Sequence, residues 1–189
     1  AAVLASPPLA VPRVKQPKPK APPIRRAEAV PTFEAESALW AEGFRAVAGI
    51  DEVGRGPVAG PVVAAAVVLY REPCDERAWY ADLRDSKLLT ERQRERLAPL
   101  IRSEAVAWGI GTVSPQDIDG FGILRATRRA MQQALDALQA PADCLLLDGR
   151  EWLALPLQQR SIVKGDRLVC SIAAASIIAK VHRDHLMEE

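Results

Sequence analysis

Apolar residues along this chain occur either in short unbroken runs or at spacings of three and four. Unbroken runs bounded by Gly, Pro or charged residues predict buried strands. Such strands are expected over residues 46–52, 61–70, 105–113 and 143–148, with a brief one at 161–163. The helical spacing predicts helices that begin near residues 32, 90, 114 and 123, and a last one from residue 172 onward. The alternation of the two patterns indicates a single α/β domain.

Two of the predicted helices carry clear start signals. Thr32 is the expected cap of the first helix, and acidic residues follow it in the first turn. Thr90 opens the second helix, whose inward-facing positions are expected to be Leu97, Leu100 and Ile101.

Composition limits the class of protein. A chain of 189 residues, 49% of them hydrophobic, is long enough to bury one core. No apolar run reaches the roughly 18 residues that span a bilayer, so no membrane association is expected. The three cysteines lie far apart without a CxxC pattern, which favours reduced thiols in a cytoplasmic protein over a zinc site.

The first 31 residues differ from the rest of the chain in charge and in proline content. They hold six basic residues and one acidic residue, a net charge of +5, and eight of the fifteen prolines. Proline at this density prevents helix and sheet hydrogen bonding, so residues 1–31 are predicted to form a disordered basic arm. The arm either attracts phosphate or serves as a solubilising linker, and the sequence favours neither.

Four carboxylates follow apolar or small-residue stretches, namely Asp51, Glu52, Asp148 and Asp166. An unpaired carboxylate at the edge of a core is costly, and a bound cation offsets that cost. Mg²⁺ prefers oxygen ligands, and two such ions about 4 Å apart suit phosphodiester hydrolysis. Taken singly, Asp148 and Asp166 are better explained as residues of ordinary turns. The four acids together favour a metal site.

Adjacent acids on one strand raise a geometric problem. Successive strand side chains point to opposite faces, so Asp51 and Glu52 reach one ion only if the strand ends or twists there. Gly54 is expected to relieve this constraint. Arg55, between Gly54 and Gly56, would let the backbone approach a sugar while its guanidinium meets a phosphate.

Five motifs follow one another along the chain. They are AGIDEVGRGPVAGPVVAAAVVL at 48–69, DSK at 85–87, LLLDG at 145–149, KGD at 164–166 and SIAAASIIAKVHRD at 171–184. In this order they resemble the type 2 ribonucleases H, and bacterial ribonuclease HII in particular. The resemblance implies a ribonuclease-H-like mixed sheet with flanking helices, formed by one catalytic domain over residues 32–189.

The resemblance also implies an activity. The family consists of endoribonucleases that cut the RNA strand of RNA/DNA hybrids. They also cut on the 5′ side of ribonucleotides embedded in duplex DNA, leaving 3′-hydroxyl and 5′-phosphate ends. The four acids named above match the family's catalytic residues one for one and would hold two Mg²⁺ or Mn²⁺ ions.

Substrate contacts are implied in the same way. The turn Gly54-Arg55-Gly56 would read the ribose 2′-hydroxyl, the group that distinguishes RNA from DNA. The residues expected to contact backbone phosphate are Ser86, Lys87 and Lys180. Without the family, Lys87 is better explained as a solvated residue, and Lys180 equally well as a surface lysine.

The C-terminus departs from the family pattern. In the resembled family the chain continues into a segment whose Tyr stacks on the sugar after the ribonucleotide. This sequence begins without Met and ends at Glu189 inside a helical pattern, so a C-terminally truncated fragment is expected. Neither Tyr70 nor Tyr80 occupies the corresponding position.

Three other interpretations stay open on sequence alone. Ribonuclease HIII is the nearest, although that family has a Glu where this chain has Asp166. A sugar kinase or ATPase of the same fold lacks support because no GxxxxGKS loop occurs. A non-catalytic nucleic-acid-binding module would be more basic than residues 32–189, whose net charge is −4. The ribonuclease interpretation implies an RNA/DNA-hybrid partner and a monomer.

Overall fold

The computed structural model describes residues 30–56, 59–71 and 75–188. The predicted basic arm over residues 1–31 lies outside the described residues except for its last two positions, so it stays a prediction. Among the described residues, five strands form one mixed sheet in the order β3-β2-β1-β4-β5. The strands are β1 Val47–Val53, β2 Val62–Val68, β3 Ala107–Val113, β4 Cys144–Asp148 and β5 Gln158–Ile162.

Helices cover both faces of this sheet. They are α1 Glu34–Ala41, α2 Glu91–Glu104, α3 Pro115–Phe121, α4 Ile123–Asp136, α5 Gly165–Leu168 and α6 Cys170–Glu188, with short 3₁₀ segments at Asp75–Asp82 and Ser86–Leu88. Helix α5 and the 3₁₀ segments are absent from the predicted elements because none is long enough to show a periodic pattern. Strand β5 begins three residues before the predicted position, in a polar stretch that the apolar pattern does not mark.

Two local expectations are wrong. The N-cap of α1 is Phe33. The Thr32 hydroxyl accepts only a long hydrogen bond, 3.4 Å, from the Glu34 amide. Leu100 of α2 is 37% exposed, whereas Leu97 and Ile101 are buried as expected. The buried apolar face of α2 is therefore narrower than the spacing of Leu97, Leu100 and Ile101 predicts.

Strand β1 lies at the centre of the sheet. It pairs antiparallel with β2 and parallel with β4, and β4 pairs parallel with β5. One face of the sheet packs on α4, through alternating residues of β2 such as Ala64 and Ala66. The other face packs on α6, through Ala65 and Val67. The last β1–β4 pair joins Ile50 to Leu147, so Asp51 and Asp148 each follow this pair directly.

Helix α6 approaches β1 very closely. A Cβ atom at Gly49 would lie 2.2 Å from the backbone carbonyl carbon of Ser171, so only glycine allows this spacing. The start of α6 is also fixed by Glu36 of α1, whose carboxylate accepts a 2.8 Å hydrogen bond from the Ser171 amide. Glu36 is only 1% exposed. Burial raises the pKa of its carboxyl group.

No helix among the described residues has both the length and the apolar character needed to cross a membrane.

The spacing of β1 and α6 gives a stability prediction. Gly49→Ala is expected to lower the free energy of unfolding by about 1–3 kcal/mol, because the added methyl must push backbone apart in a packed core. Urea unfolding measures the change. Gly120→Ala is the matched control, since nothing lies within 4 Å of a Cβ at Gly120 in α3. Equal stabilities for the two variants would contradict the packing argument.

Candidate active site

Asp51 and Glu52 come from opposite faces of β1. The strand does not end at these acids, because pairing with β2 continues to Val53. Of the two expected alternatives, the strand end is wrong and the twist stays a prediction. Asp51 points toward α6, where it is 5% exposed and interacts with the Ser176 hydroxyl. Glu52 points the other way. Both still line one cavity, because the parallel neighbour β4 has already ended and opens the sheet beside them.

Asp148 is the last residue of β4 and joins the sheet to the loop that carries Asp166. Its Oδ1 atom accepts hydrogen bonds from the Gly165 amide at 2.6 Å and from the Asp166 amide at 3.4 Å. The chain reaches this position through Lys164, whose φ of 60° is left-handed. Asp148 therefore lies between the acids of β1 and Asp166 of α5.

Burial, and after it repulsion between neighbouring carboxylates, raises the pKa values of Asp51, Glu52 and Asp166. Burial raises the pKa of Asp51 well above its usual value, and the charges of Glu52 and Asp148 raise it further. Burial also raises the pKa of Glu52, while Arg55 lowers it. The pKa of Asp166 rises to about 6, through burial and then through the charges of Asp148 and Asp85.

Asp51, Glu52 and Asp148 line the same cavity of about 460 Å³. Asp166 is not among the lining residues within the described chain, but it is coupled electrostatically to Asp148. In the described parts of the chain, no three His, Cys, Asp or Glu side chains are grouped closely enough to coordinate one ion. Protein groups engage the carboxylates instead. The structure thus places three of the four acids around one cavity, with Asp166 beside Asp148, without forming a closed coordination shell.

The Gly54-Arg55-Gly56 turn forms one wall of this cavity. Gly54 has a φ of +103°, and a Cβ there would lie 2.4 Å from the Pro61 carbonyl oxygen. The buried Arg183 of α6 fixes the returning chain, because it donates hydrogen bonds to the carbonyl oxygens of Pro61 at 2.9 Å and Ala59 at 3.0 Å. Arg183 therefore ties the turn to α6.

Ser86, Lys87 and Lys180 lie on the same cavity. Ser86 is only 4% exposed, and its hydroxyl makes a 2.8 Å hydrogen bond with the Ser176 hydroxyl. Lys87 is exposed, and its ammonium lies 3.9 Å from Asp166 Oδ2. The Lys180 ammonium is paired with Asp184 on the next turn of α6. Two cations and one buried hydroxyl thus accompany the acids.

Comparison with known proteins decides the family. The family model described as Ribonuclease HII matches residues 48–189. A ribonuclease HII of Roseiflexus castenholzii is 55% identical over 158 residues, which cover 84% of this chain and 70% of that relative. The chain belongs to the ribonuclease HII family. It is accordingly a ribonuclease H, an endonuclease.

Solved structures agree with this family and with the fold. The ribonuclease H2 from Pyrococcus horikoshii OT3 superposes with a TM-score of 0.63 at 29% identity, over 75% of this chain and 74% of that one. A Bst ribonuclease HIII solved in complex with Mn²⁺ superposes with a TM-score of 0.56 at 25% identity, over 80% of this chain and 56% of that one. The predicted ribonuclease-H-like α/β fold is confirmed.

The sequence did not identify several residues that support this cavity. They are Asp85, Glu151, Ser176 and Arg183. Ser176 and Arg183 lie four residues before and three after Lys180, a helical spacing that would have placed all three on one face of α6. Asp85 lies in a recognised motif, but its buried carboxylate binds the Lys87 amide at 2.9 Å and the Arg167 guanidinium at 3.0 Å. It therefore supports the Lys87 turn.

The raised pKa of Asp166 predicts a pH-dependent effect on stability. Its folded-state pKa of about 6 exceeds the usual 3.8, so ionisation disfavours the folded state. The stabilisation from the protonated carboxyl is present below about pH 4 and is lost as the pH rises through about 6. Asp166→Asn cannot ionise, and without metal it should be more stable than the unmodified protein by about 1–3 kcal/mol near pH 7.

Urea unfolding in EDTA from acidic to neutral pH measures this difference, which should nearly vanish below about pH 4. Asp85→Asn is the contrasting variant, because its carboxylate is satisfied by Arg167 and the Lys87 amide. That variant should lose stability near pH 7. A pH-independent effect for Asp166→Asn would refute the assignment of the repulsion to Asp166.

Proposed function

We propose that this protein hydrolyses the RNA strand of RNA/DNA hybrids and also cuts on the 5′ side of ribonucleotides embedded in duplex DNA. The products are a 3′-hydroxyl and a 5′-phosphate. The observation that carries the proposal is the shared cavity, in which buried acids face a glycine-flanked arginine turn and two lysines. Acids supply metal ligands, and the turn and lysines supply contacts to a sugar-phosphate backbone.

The acids fit a divalent metal in donor type and in charge. Carboxylate oxygens are the ligands that Mg²⁺ and Mn²⁺ prefer. The Glu52 Oε2 atom is buried and has no hydrogen-bond partner among the described residues, a costly state that a cation would relieve. The raised pKa values of Asp51 and Asp166 share two causes, burial first and then the charge of neighbouring carboxylates, and a bound cation would offset both.

Four residues would hold the cations, namely Asp51, Glu52, Asp148 and Asp166. When bound, two Mg²⁺ or Mn²⁺ ions would supply an activated water and would neutralise charge on the scissile phosphate. The amides of Gly165 and Asp166 hold the Asp148 carboxylate in place, and Ser176 orients Asp51. Ligands fixed in this way need little rearrangement when ions arrive.

Substrate recognition rests on the opposite wall of the cavity. Nothing lies within 4 Å of a Cβ built at Gly56, so the backbone there leaves room for a ribose to approach and for its 2′-hydroxyl to be read. Arg55, Lys87 and Lys180 would contact phosphates along the strand. Ser86 would act mainly through Ser176, since its hydroxyl is already engaged there.

Ribonuclease HIII is the alternative nearest to this proposal. The match of the ribonuclease HII family model to residues 48–189, together with Asp166 at the fourth position, favours the type HII substrate range. Family membership leaves no support for a sugar kinase, an ATPase or a non-catalytic binding module.

We also propose that the enzyme acts as a monomer in the cytoplasm. The amides of Trp108 and Thr112 on edge strand β3 donate to the side chains of Gln139 and Gln133, which removes them as donors for a second sheet. Cys144 and Cys170 are free and buried, which suits a reducing compartment.

The central test uses duplex DNA that bears one ribonucleotide. Cleavage is expected on the 5′ side of the ribonucleotide and only when Mg²⁺ or Mn²⁺ is added. Asp51→Asn and Asp148→Asn should each lower the cleavage rate at least about a hundredfold, because metal catalysis contributes several kcal/mol. Hybrid affinity, measured by fluorescence anisotropy, should change little. Near-normal cleavage by either variant would remove that acid from the catalytic set.

Arg55 gives a second prediction. Arg55→Gln should weaken binding of RNA/DNA hybrid more than binding of DNA duplex, because the guanidinium holds a phosphate beside the ribose-reading turn. The ratio of the two dissociation constants, measured at one salt concentration, reports the preference. Arg160→Gln is the control, since Arg160 pairs with Glu42 elsewhere on the surface. An unchanged ratio for Arg55→Gln would exclude Arg55 from recognition.

A further inference from the structure

Arg55 is shared between two carboxylates. Its Nη1 atom lies 3.1 Å from Glu52 Oε1 and 2.8 Å from Glu151 Oε1. The two glutamate side chains are each 12% exposed and that of Arg55 is 34% exposed, so this group is partly shielded from solvent. One guanidinium therefore bridges a proposed metal ligand and a residue of the β4–β5 loop.

Glu151 is anchored independently of β1. Its backbone carbonyl oxygen accepts a hydrogen bond from the Ser161 hydroxyl of β5. Its Oε2 atom lies 3.7 Å from Arg128 Nε on α4. Neither contact involves Glu52 or Arg55, so Glu151 has support that does not depend on the end of β1.

The two carboxylate oxygens of Glu52 have different surroundings. Its Oε1 atom is occupied by Arg55, and its Oε2 atom is buried without a partner among the described residues. A divalent cation at Glu52 would meet the guanidinium at close range, and two positive charges repel strongly in a partly buried site. Binding of the cation thus requires Arg55 to leave Glu52.

We propose that Glu151 is a positioning residue. It holds the guanidinium of Arg55 beside the Gly54-Arg55-Gly56 turn when Glu52 binds a divalent cation. The inference rests on the proposed function, because it assumes that Glu52 is a metal ligand. Before the cation binds, Arg55 serves as a counter-ion for both glutamates. After the cation binds, the Arg55 guanidinium stays paired with Glu151. It therefore remains beside the turn while the cation occupies Glu52.

Titration calorimetry with Mn²⁺ alone tests this in four proteins. These are the unmodified chain, Glu151→Gln, Arg55→Gln and the Glu151→Gln/Arg55→Gln double variant. In Glu151→Gln, Arg55 has only Glu52 as a carboxylate partner and competes harder with the cation. The dissociation constant for Mn²⁺ should therefore rise about threefold to fivefold, the size expected for one exposed ion pair. In the Arg55→Gln background the same change should have no effect, because the competitor is gone.

Two controls separate this role from a general loss of structure. Glu42→Gln breaks the remote Glu42–Arg160 pair and should leave the Mn²⁺ dissociation constant unchanged. Glu151→Asp retains the carboxylate and should restore part of the lost affinity. Thermal unfolding of both variants should stay cooperative, although Glu151→Gln loses two ion pairs, those with Arg55 and Arg128, and Glu42→Gln loses the pair with Arg160.

The outcomes are distinct. Glu151→Gln could raise the Mn²⁺ dissociation constant equally in the unmodified chain and in Arg55→Gln. That result would mean that Glu151 attracts the cation directly, and it would overturn the positioning role. No rise in either background would overturn it as well. Failure of the unmodified chain to bind Mn²⁺ would instead refute the proposed metal site, and this inference with it.

Discussion

The close contact between β1 and α6 is the constraint on which the rest of the structure depends. Gly49 lets the strand lie against the Ser171 backbone, and Glu36 holds the first turn of α6 from the opposite side. With the start of α6 fixed, its next turns carry Ser176 to Asp51 and carry Arg183 to the carbonyl groups beyond the glycine turn. A shift of α6 along the sheet would move Ser176 away from Asp51 and Arg183 away from the Pro61 carbonyl.

The same packing makes the acid cluster unfavourable on its own. Asp51 and Asp166 are each 5% exposed and lie near other carboxylates, so their ionisation opposes folding. The surrounding groups offset only part of this cost: amides bind Asp148, and Lys87 approaches Asp166. A site that is strained in this way favours cation binding, because the ion relieves repulsion that the protein already carries. Without a cation, the acids lower the free energy of unfolding, and they do so at the cavity proposed to bind metal.

The sequence predicted those parts of the fold whose signal is local. Unbroken apolar runs identified the strands, and acids at the ends of those runs identified Asp51 and Asp148, since a buried strand seldom ends in a carboxylate without a reason. Local signals failed at the cap of α1, at Leu100, and at α5, where a single helical turn has no period to detect. Asp85, Glu151 and Arg183 were missed because their partners lie 82, 96 and 122 positions away along the chain. Their roles follow from tertiary contacts.

The opposed directions of Asp51 and Glu52 explain why the site needs two sets of supporting residues. Because β1 stays regular to Val53, its two acids reach the cavity from different faces of the sheet. On the α6 face, Ser176 and the loop that ends β4 provide the surroundings of Asp51. On the α4 face, Arg55 and Glu151 provide those of Glu52. The arginine paired with Glu52 also belongs to the turn proposed to read ribose, so the proposed metal site and the proposed recognition turn share one side chain.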